Sequence, residues 1–138
     1  MVLTELAREV FSNDRYAVEL TGISIDHVAE HESQCSIQIT DNHRNARGVA
    51  MGGVLFTLAD FAAAVAANSS ELQTTMSELH WVSLDVNIHY LLPAVGNRLI
   101  ARCTAIKHGR TTALYQTTVT DPDNGRTLAV ATSTMMRI

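Results

Sequence analysis

The feature that most constrains the fold of this chain is an apolar run near its middle. Residues 52–67 read GGVLFTLADFAAAVAA, in which Asp60 is the one charged residue and Thr57 the one other polar side chain. A helix that is apolar on nearly every side has to be buried on most of them. The run therefore predicts a central helix over residues 52–68. It is shorter than the roughly 18–20 residues that a membrane-spanning helix needs.

Most of the remaining sequence shows the two-residue period of strands. The clearest segment is residues 82–90, where apolar and polar side chains alternate. Weaker alternation covers residues 16–40, and further strands separated by turns are predicted over residues 98–107, 111–121 and 126–137. Consecutive strands joined by short turns pair antiparallel. A short amphipathic helix is predicted over residues 1–13.

These elements predict one α+β domain over residues 1–138, in which an antiparallel β-sheet wraps around a long central helix. The edges or the outer face of such a sheet need a partner, so we expect a homodimer or a dimer of dimers.

The composition argues against several functional classes. The formal net charge is −4 and no basic stripe is present, which argues against a nucleic-acid partner. Cys35 and Cys103 lie far apart without a CxxC, which argues against a disulfide framework and a zinc ribbon. The first residues lack the basic start and apolar core of a signal peptide. We expect a cytoplasmic protein without a membrane segment.

Asp60 is the first candidate for chemistry. An ionised carboxylate in apolar surroundings is costly, and a perturbed acid in a cleft is a candidate general base or nucleophile. A structural ion pair explains such an acid equally well. Gly52 and Gly53 open the helix, where unpaired N–H groups could stabilise an oxygen that gains negative charge. The alternative is a tight turn into the helix.

The spacing of these residues resembles a known motif. Asn45, Gly48, Met51-Gly52-Gly53 and Leu58-Ala59-Asp60 are similar to N-x-x-G-x-x-H-G-G-x-x-x-x-L-x-D of hotdog-fold acyl-CoA thioesterases of the phenylacetate-degradation (PaaI-like) type. Residues 82–94 and 107–111 resemble the central strand and the glycine hairpin of that family, so the likeness covers about residues 40–137.

The resemblance implies a hotdog domain that hydrolyses an acyl-CoA thioester. It makes Asp60 the general base or nucleophile and the Gly52 N–H the group that polarises the thioester carbonyl. Asn45 would hold the carbonyl or the water, and Ser83 would assist the water. For Ser83, alternation allows an equal alternative, a solvated polar row shared with other side chains of its strand.

The resemblance also implies where coenzyme A binds and how the site is assembled. The site would form between two subunits, with the acid from one and the glycine from the other. Thioesters are already activated, so neither a metal nor a redox cofactor is expected, and coenzyme A enters as part of the substrate. The implied coenzyme A contacts are Tyr90, Leu91, Leu92, Pro93, Ala94, Val95, Lys107, His108, Gly109, Arg110, Thr111 and Thr112.

One departure from the motif leaves alternatives open. The family's histidine before the glycine pair is Met51 here, and methionine cannot orient a carbonyl by donating a hydrogen bond. An acyl-CoA binding module or sensor with little turnover is therefore a second hypothesis. A hotdog dehydratase or hydratase is the third. It ranks last because no histidine lies between Gly48 and Ser77. His27 and His31 lie in a strand-like segment whose spacing does not bring them together for a metal.

Overall fold

A computed structural model describes residues 2–75 and 78–138 of the chain. The strands form one six-stranded sheet in the order β1-β2-β4-β5-β6-β3, with every neighbouring pair antiparallel. The helices are α1 (Leu3–Phe11), α2 (Gly52–Asn68) and α3 (Leu72–Thr75), and the strands are β1 (Ile23–Ala29), β2 (Glu32–Gln38), β3 (Trp81–Tyr90), β4 (Arg98–His108), β5 (Thr112–Thr120) and β6 (Thr127–Arg137). The predicted fold class is confirmed: a long helix packs against one antiparallel sheet.

The sheet curves around α2, and most of that helix is buried. Leu58, Val65 and a series of alanines are fully buried, and the small alanine side chains let the strands approach the helix closely. A stripe stays partly accessible to solvent and consists of Gly53, Thr57, Asp60 and Ala64. The spacing of these four residues keeps them on one face of the helix, here called the open stripe.

The helical stretch Gly52–Thr74 is long and apolar enough to cross a membrane by length and composition alone. Most of it is buried inside the domain, as in the core helix of a folded protein.

The expected alternation over residues 16–40 is wrong in its first part. Tyr16–Thr21 forms a π-helical segment, which ends at Gly22 with a left-handed φ of 89°. A positive φ is readily adopted by glycine, so this residue turns the chain from the helical segment into β1. The rest of the stretch is a hairpin of β1 and β2. The π-helical segment leaves Tyr16 and Leu20 exposed on its surface.

β3 lies at one edge of the sheet, and its position differs from simple chain order. It follows α3 and precedes β4, yet it pairs with β6, while β4 pairs with β2 and β5. Within the described residues its other side has no strand neighbour. Leu84 and Tyr90 on this strand are about half exposed, so β3 presents both free backbone groups and apolar side chains.

Asn68 connects the last turn of α2 to the beginning of β3. Its side chain is 2% exposed. Its Nδ2 donates to the carbonyls of Ala64 and Trp81, and its Oδ1 accepts from the N–H groups of His80 and Trp81. A buried amide satisfied in this way positions the edge strand against the helix.

Candidate active site

Asp60 lies on the open stripe of α2, opposite Ser83 of β3. The Ser83 hydroxyl donates a hydrogen bond to Oδ1 of Asp60 over 3.2 Å. The hydroxyl also lies 3.4 Å from the sulfur of Met135. Of the two interpretations that the sequence left open for Ser83, the contact with Asp60 favours a role beside the carboxylate.

Ser83 faces the helix because β3 is irregular. The register of β3 against β6 shifts between Ser83 and Asp85, so that one residue is bulged. Without the bulge, Ser83 and Asp85 would share a face, as their spacing predicts. The bulge separates them, since Ser83 pairs with the buried Met135 and Asp85 pairs with Thr134. The expected polar row from Ser83 to His89 is therefore wrong at its first member.

The environment of Asp60 favours the protonated form of its carboxyl group. Burial raises the pKa of Asp60 above its usual value, the hydrogen bond from Ser83 lowers it, and the nearby negative charge of Asp14 raises it. Desolvation is the largest of these effects. A carboxylate with a raised pKa that stays accessible is suited to accept a proton from water.

Gly52, the first residue of α2, lines a cavity of about 300 Å³. Asn45 lies in the same wall, and the segment after β3 closes the other side with Tyr90, Leu92 and Pro93. The structure therefore brings together the predicted carbonyl-polarising glycine, the predicted loop asparagine and the first predicted coenzyme A segment.

Tyr90 closes tightly over the start of α2. Its hydroxyl donates to the carbonyl oxygen of Gly52 over 2.9 Å. A Cβ at position 52 would lie 3.1 Å from the Tyr90 ring, so a larger residue there would require the ring to shift. The N–H of Gly52 precedes the first intrahelical hydrogen bond of α2, so it remains a donor at the positive end of the helix dipole.

Asn45 is held as a turn residue while it lines the cavity. Its Oδ1 accepts from the N–H groups of Arg47 and Val49, at 2.9 and 3.3 Å. These two bonds set the orientation of the amide, so its Nδ2 is the group left to act as a donor. The turn role and the predicted role toward a carbonyl are compatible, because they use different atoms.

The predicted catalytic residues of one chain do not all lie close enough to act on one carbonyl group. Gly52 and Asp60 are eight residues apart on α2, which corresponds to about 12 Å along the helix axis. Attack on a carbonyl requires the acid or its water and the N–H donor each within roughly 3 Å of the reacting group. Asp60 and Gly52 of the same chain therefore cannot serve one carbonyl.

The two predicted coenzyme A segments are also far apart in one chain. The hairpin 107–112 joins β4 to β5 and lies beside Arg137. Arg137 pairs with Trp81, the residue at which β3 begins. The segment 90–95 begins at Tyr90, the residue at which β3 ends. The ten residues of β3 span about 30 Å.

The hairpin exposes most of its predicted contact residues. Lys107, Arg110 and Thr111 are exposed, and the N–H of Gly109 donates to the Thr112 carbonyl over 2.9 Å. A Cβ on Gly109 would lie 2.7 Å from that carbonyl oxygen, so the tight turn requires glycine.

The predicted coenzyme A residue His108 turns inward. Its Nδ1 lies 2.7 Å from the Tyr115 hydroxyl, and its ring stacks on His31 with centroids 3.9 Å apart. Burial and the neighbouring His31 lower the pKa of His108. These contacts direct the imidazole away from the exposed face of the hairpin.

Two residues lie outside the cavity that contains Gly52: Met51, at the start of α2, and Asp14, which sequence reasoning missed. Met51 caps α2 with its side chain 57% exposed. The charge of Asp14 raises the pKa of Asp60, although the two residues are 46 positions apart in sequence. No local sequence pattern indicates such a long-range effect. Among the described residues, no group of three or more His, Cys, Asp or Glu is arranged to hold a metal ion.

Comparison with known proteins assigns the family. The family model of the thioesterase superfamily matches residues 47–128. The chain belongs to the thioesterase superfamily. Acyl-coenzyme A thioesterase 13 of Homo sapiens is 30% identical over 96 residues, which cover 69% of this chain and 65% of the human protein.

Two solved structures carry the same fold. The PaaI protein from the phenylacetic acid degradation operon of E. coli has a TM-score of 0.81 and 25% identity, with 99% of this chain and 96% of that chain covered. A Streptococcus mutans UA159 protein, bound to acetyl CoA, has a TM-score of 0.72 and 25% identity, with 84% and 88% covered. The predicted hotdog fold and the predicted enzyme class, a thioesterase of the acyl-CoA type, are confirmed.

Proposed function

We propose that this thioesterase hydrolyses an acyl-CoA thioester to the free acid and coenzyme A, with Asp60 as the base and Gly52 as the oxyanion donor. The single observation that carries the proposal is the partly buried, accessible carboxylate of Asp60 with its hydrogen bond from Ser83. The human relative named as an acyl-coenzyme A thioesterase and the acetyl-CoA complex of the S. mutans protein support the substrate class.

The distances within one chain favour a site shared by two copies. Asp60 lies beside Ser83 and Gly52 lies beside Tyr90. Ser83 and Tyr90 are seven residues apart on β3. Two β3 strands could pair antiparallel through their open edges, with Ser83 of each copy opposite Tyr90 of the other. Asp60 of one copy would then come close to Gly52 of the other. The same pairing brings the hairpin of one copy toward the segment 90–95 of the other. We therefore propose a dimer through β3, with each site at the interface.

The chemistry follows from these positions. Ionised Asp60 takes a proton from a water molecule, and the water oxygen forms a bond to the thioester carbonyl carbon. The carbonyl oxygen becomes an oxyanion, which the N–H of Gly52 and the Nδ2 of Asn45 stabilise. When the tetrahedral intermediate collapses, the C–S bond breaks and coenzyme A leaves as a thiolate that receives the proton. Direct attack by Asp60 would use the same groups, with water then hydrolysing the anhydride. Neither route requires a metal or a redox cofactor.

Thiol release from a panel of alkyl- and aryl-CoA thioesters tests the proposal. Replacing Asp60 by Asn should lower kcat by about 10²- to 10⁴-fold, the usual effect of losing a general base. Asp123→Asn is the matched control, because Asp123 is an exposed carboxylate in the turn before β6. Wild-type turnover in the Asp60→Asn protein would refute the catalytic assignment.

Mixed dimers test the shared site separately. Asp60→Asn and Gly52→Val should each be inactive, and their mixture should recover about a quarter of wild-type activity, since half of the dimers are hybrids with one intact site. If each site lay within one chain, the mixture would stay inactive.

Met51 supports the second candidate, an acyl-CoA binding module. Its exposed side chain stands where the family's motif has histidine, and it offers no hydrogen-bond donor. This candidate predicts saturable binding of CoA thioesters with negligible thiol release, and a gain of turnover in Met51→His.

A further inference from the structure

Two histidines from distant parts of the chain stack on each other behind the hairpin 107–112. The ring centroids of His31 and His108 lie 3.9 Å apart, with an interplanar angle of 16°. His31 lies in the turn between β1 and β2, and His108 is the last residue of β4, where the hairpin turns. These two residues, here called the histidine pair, connect the β1–β2 turn to the hairpin.

His108 faces inward because β4 is bulged. The register of β4 against β5 shifts between Ala105 and Lys107. Without the shift, His108 would share the outward face of the exposed Ile106. The bulge directs Lys107 outward and His108 toward the buried Tyr115 instead. Bulges commonly redirect a side chain next to a functional site.

His31 is held in a strained backbone conformation. Its φ of 59° lies in the left-handed region, and among the described residues other than glycine it alone has a positive φ. Its N–H donates to the buried Ser69 hydroxyl over 2.8 Å, and its carbonyl oxygen accepts from the N–H of Ala105 over 3.2 Å. Such a conformation persists only where the surroundings enforce it, and it is a reason to look for a function. Here it places one imidazole against the other.

The hydrogen bond between His108 and Tyr115 requires a neutral imidazole. Nδ1 of His108 lies 2.7 Å from the hydroxyl of Tyr115, which is fully buried. The tautomer in which Nδ1 accepts gives the hydroxyl proton its partner. Protonation of His108 would occupy that acceptor and leave the buried hydroxyl proton unpaired. It would also place a cation against the second imidazole of the pair.

The surroundings of the pair oppose its protonation. The titratable side chains that face His108 from neighbouring elements are His31, Glu30, Glu71 and Tyr115. Burial and the neighbouring His31 lower the pKa of His108, whereas the two glutamates raise it by less. Glu71 is also paired with Arg137 over 2.7 Å. The net effect is a pKa of His108 below the usual histidine value.

We propose that the histidine pair is a pH-sensitive latch, which holds the hairpin 107–112 in the position that binds coenzyme A while both rings are neutral. As the pH falls, a proton on His108 breaks the bond from Tyr115 and loosens the stack. The hairpin then shifts, and coenzyme A binds less tightly. Both histidines are positioning residues, because they act through the exposed Lys107 and Arg110 of the hairpin. The inference rests on the proposed function in taking this hairpin as part of the coenzyme A site.

Trp81 reports directly on the state of the latch. Its ring lies 4.4 Å from that of His108, and it is the only tryptophan of the chain. A protonated imidazole in contact with an indole quenches its fluorescence. We expect the wild-type fluorescence to fall with a midpoint below about pH 6.5. In His31→Asn the midpoint should move to higher pH, because a neighbour that lowers the pKa of His108 is removed. Asparagine adopts the left-handed conformation readily, so this variant keeps the turn.

Calorimetry with coenzyme A as the probe tests whether the latch controls binding. The ratio of Kd at about pH 5 to Kd at about pH 8 is compared between proteins. We expect this ratio to be at least about fivefold larger in the wild type than in His108→Gln, which keeps an acceptor for Tyr115 but does not titrate. His27→Gln is the matched control, because His27 is exposed on β1, and its ratio should equal that of the wild type. The phosphates of coenzyme A titrate in every measurement, so the comparison isolates His108.

The outcomes distinguish the latch from the proposed function. An equal ratio in His108→Gln and the wild type, or a fluorescence transition that persists in His108→Gln, overturns the latch even if acyl-CoA is hydrolysed. A loss of affinity that accompanies a loss of the far-UV circular dichroism signal reports unfolding and also overturns it. Binding of coenzyme A that depends on His108 in this way, without thiol release from any acyl-CoA, supports the latch and refutes the hydrolytic function.

Discussion

Replacing Asn68 by Ala should destabilise the domain strongly, because this one side chain joins α2 to β3. The change removes a donor to the Trp81 carbonyl at 3.3 Å and an acceptor for the N–H groups of His80 and Trp81 at 3.1 and 3.0 Å. Three hydrogen bonds at about 1 kcal/mol each give about 3 kcal/mol, and the polar groups left unpaired in a buried position add to that cost. We expect the free energy of unfolding to fall by about 3–5 kcal/mol.

Urea unfolding at one fixed protein concentration measures this loss, since assembly into oligomers would make stability depend on concentration. Trp81 is the only tryptophan of the chain and is 4% exposed, so its fluorescence reports on this junction. Far-UV circular dichroism provides a second probe. Asn13→Ala is the control, because Asn13 is exposed and makes one long hydrogen bond to Val10; it should change stability by less than about 0.5 kcal/mol. A loss below about 1 kcal/mol in Asn68→Ala would show that water or a shifted strand replaces the amide, and would refute the reasoning.

Three further predictions concern the site. Burial raises the folded-state pKa of Asp60, so the stability that its protonated form provides is lost as the pH rises through that value. Asp60→Asn should therefore raise the melting temperature at pH 7, with a gain that shrinks as the pH falls toward the unfolded-state pKa; a lower melting temperature at pH 7 would contradict this. Ser83→Ala removes the hydrogen bond that lowers the pKa of Asp60, so the acidic limb of the kcat/KM profile should move to higher pH, whereas Ser83→Thr should keep it in place. Gly109→Ala puts a Cβ 2.7 Å from the Thr112 carbonyl oxygen, so it should raise KM for acyl-CoA severalfold with little change in kcat, and an unchanged KM would exclude the hairpin from coenzyme A binding.

The sequence by itself determined the central helix and the candidate residues on it. The run that becomes α2 is apolar on almost every side, so it has to be buried on most of its surface. Asp60 and Gly52 stand out within that run because a carboxylate and a glycine pair are chemically unlike their neighbours. The motif spacing then indicated the family, which the comparison confirms.

The faces and the partners of these residues were decided only by the tertiary structure. Ser83 faces Asp60 because a bulge in β3 breaks the period from which its side was predicted. β3 lies at the open edge because its partner is β6, a pairing between distant segments that no local pattern encodes. Asp14 affects Asp60 for the same reason: packing brings together residues that are far apart in sequence. Side-chain chemistry is a local property of the chain, whereas proximity results from how the whole sheet closes around α2.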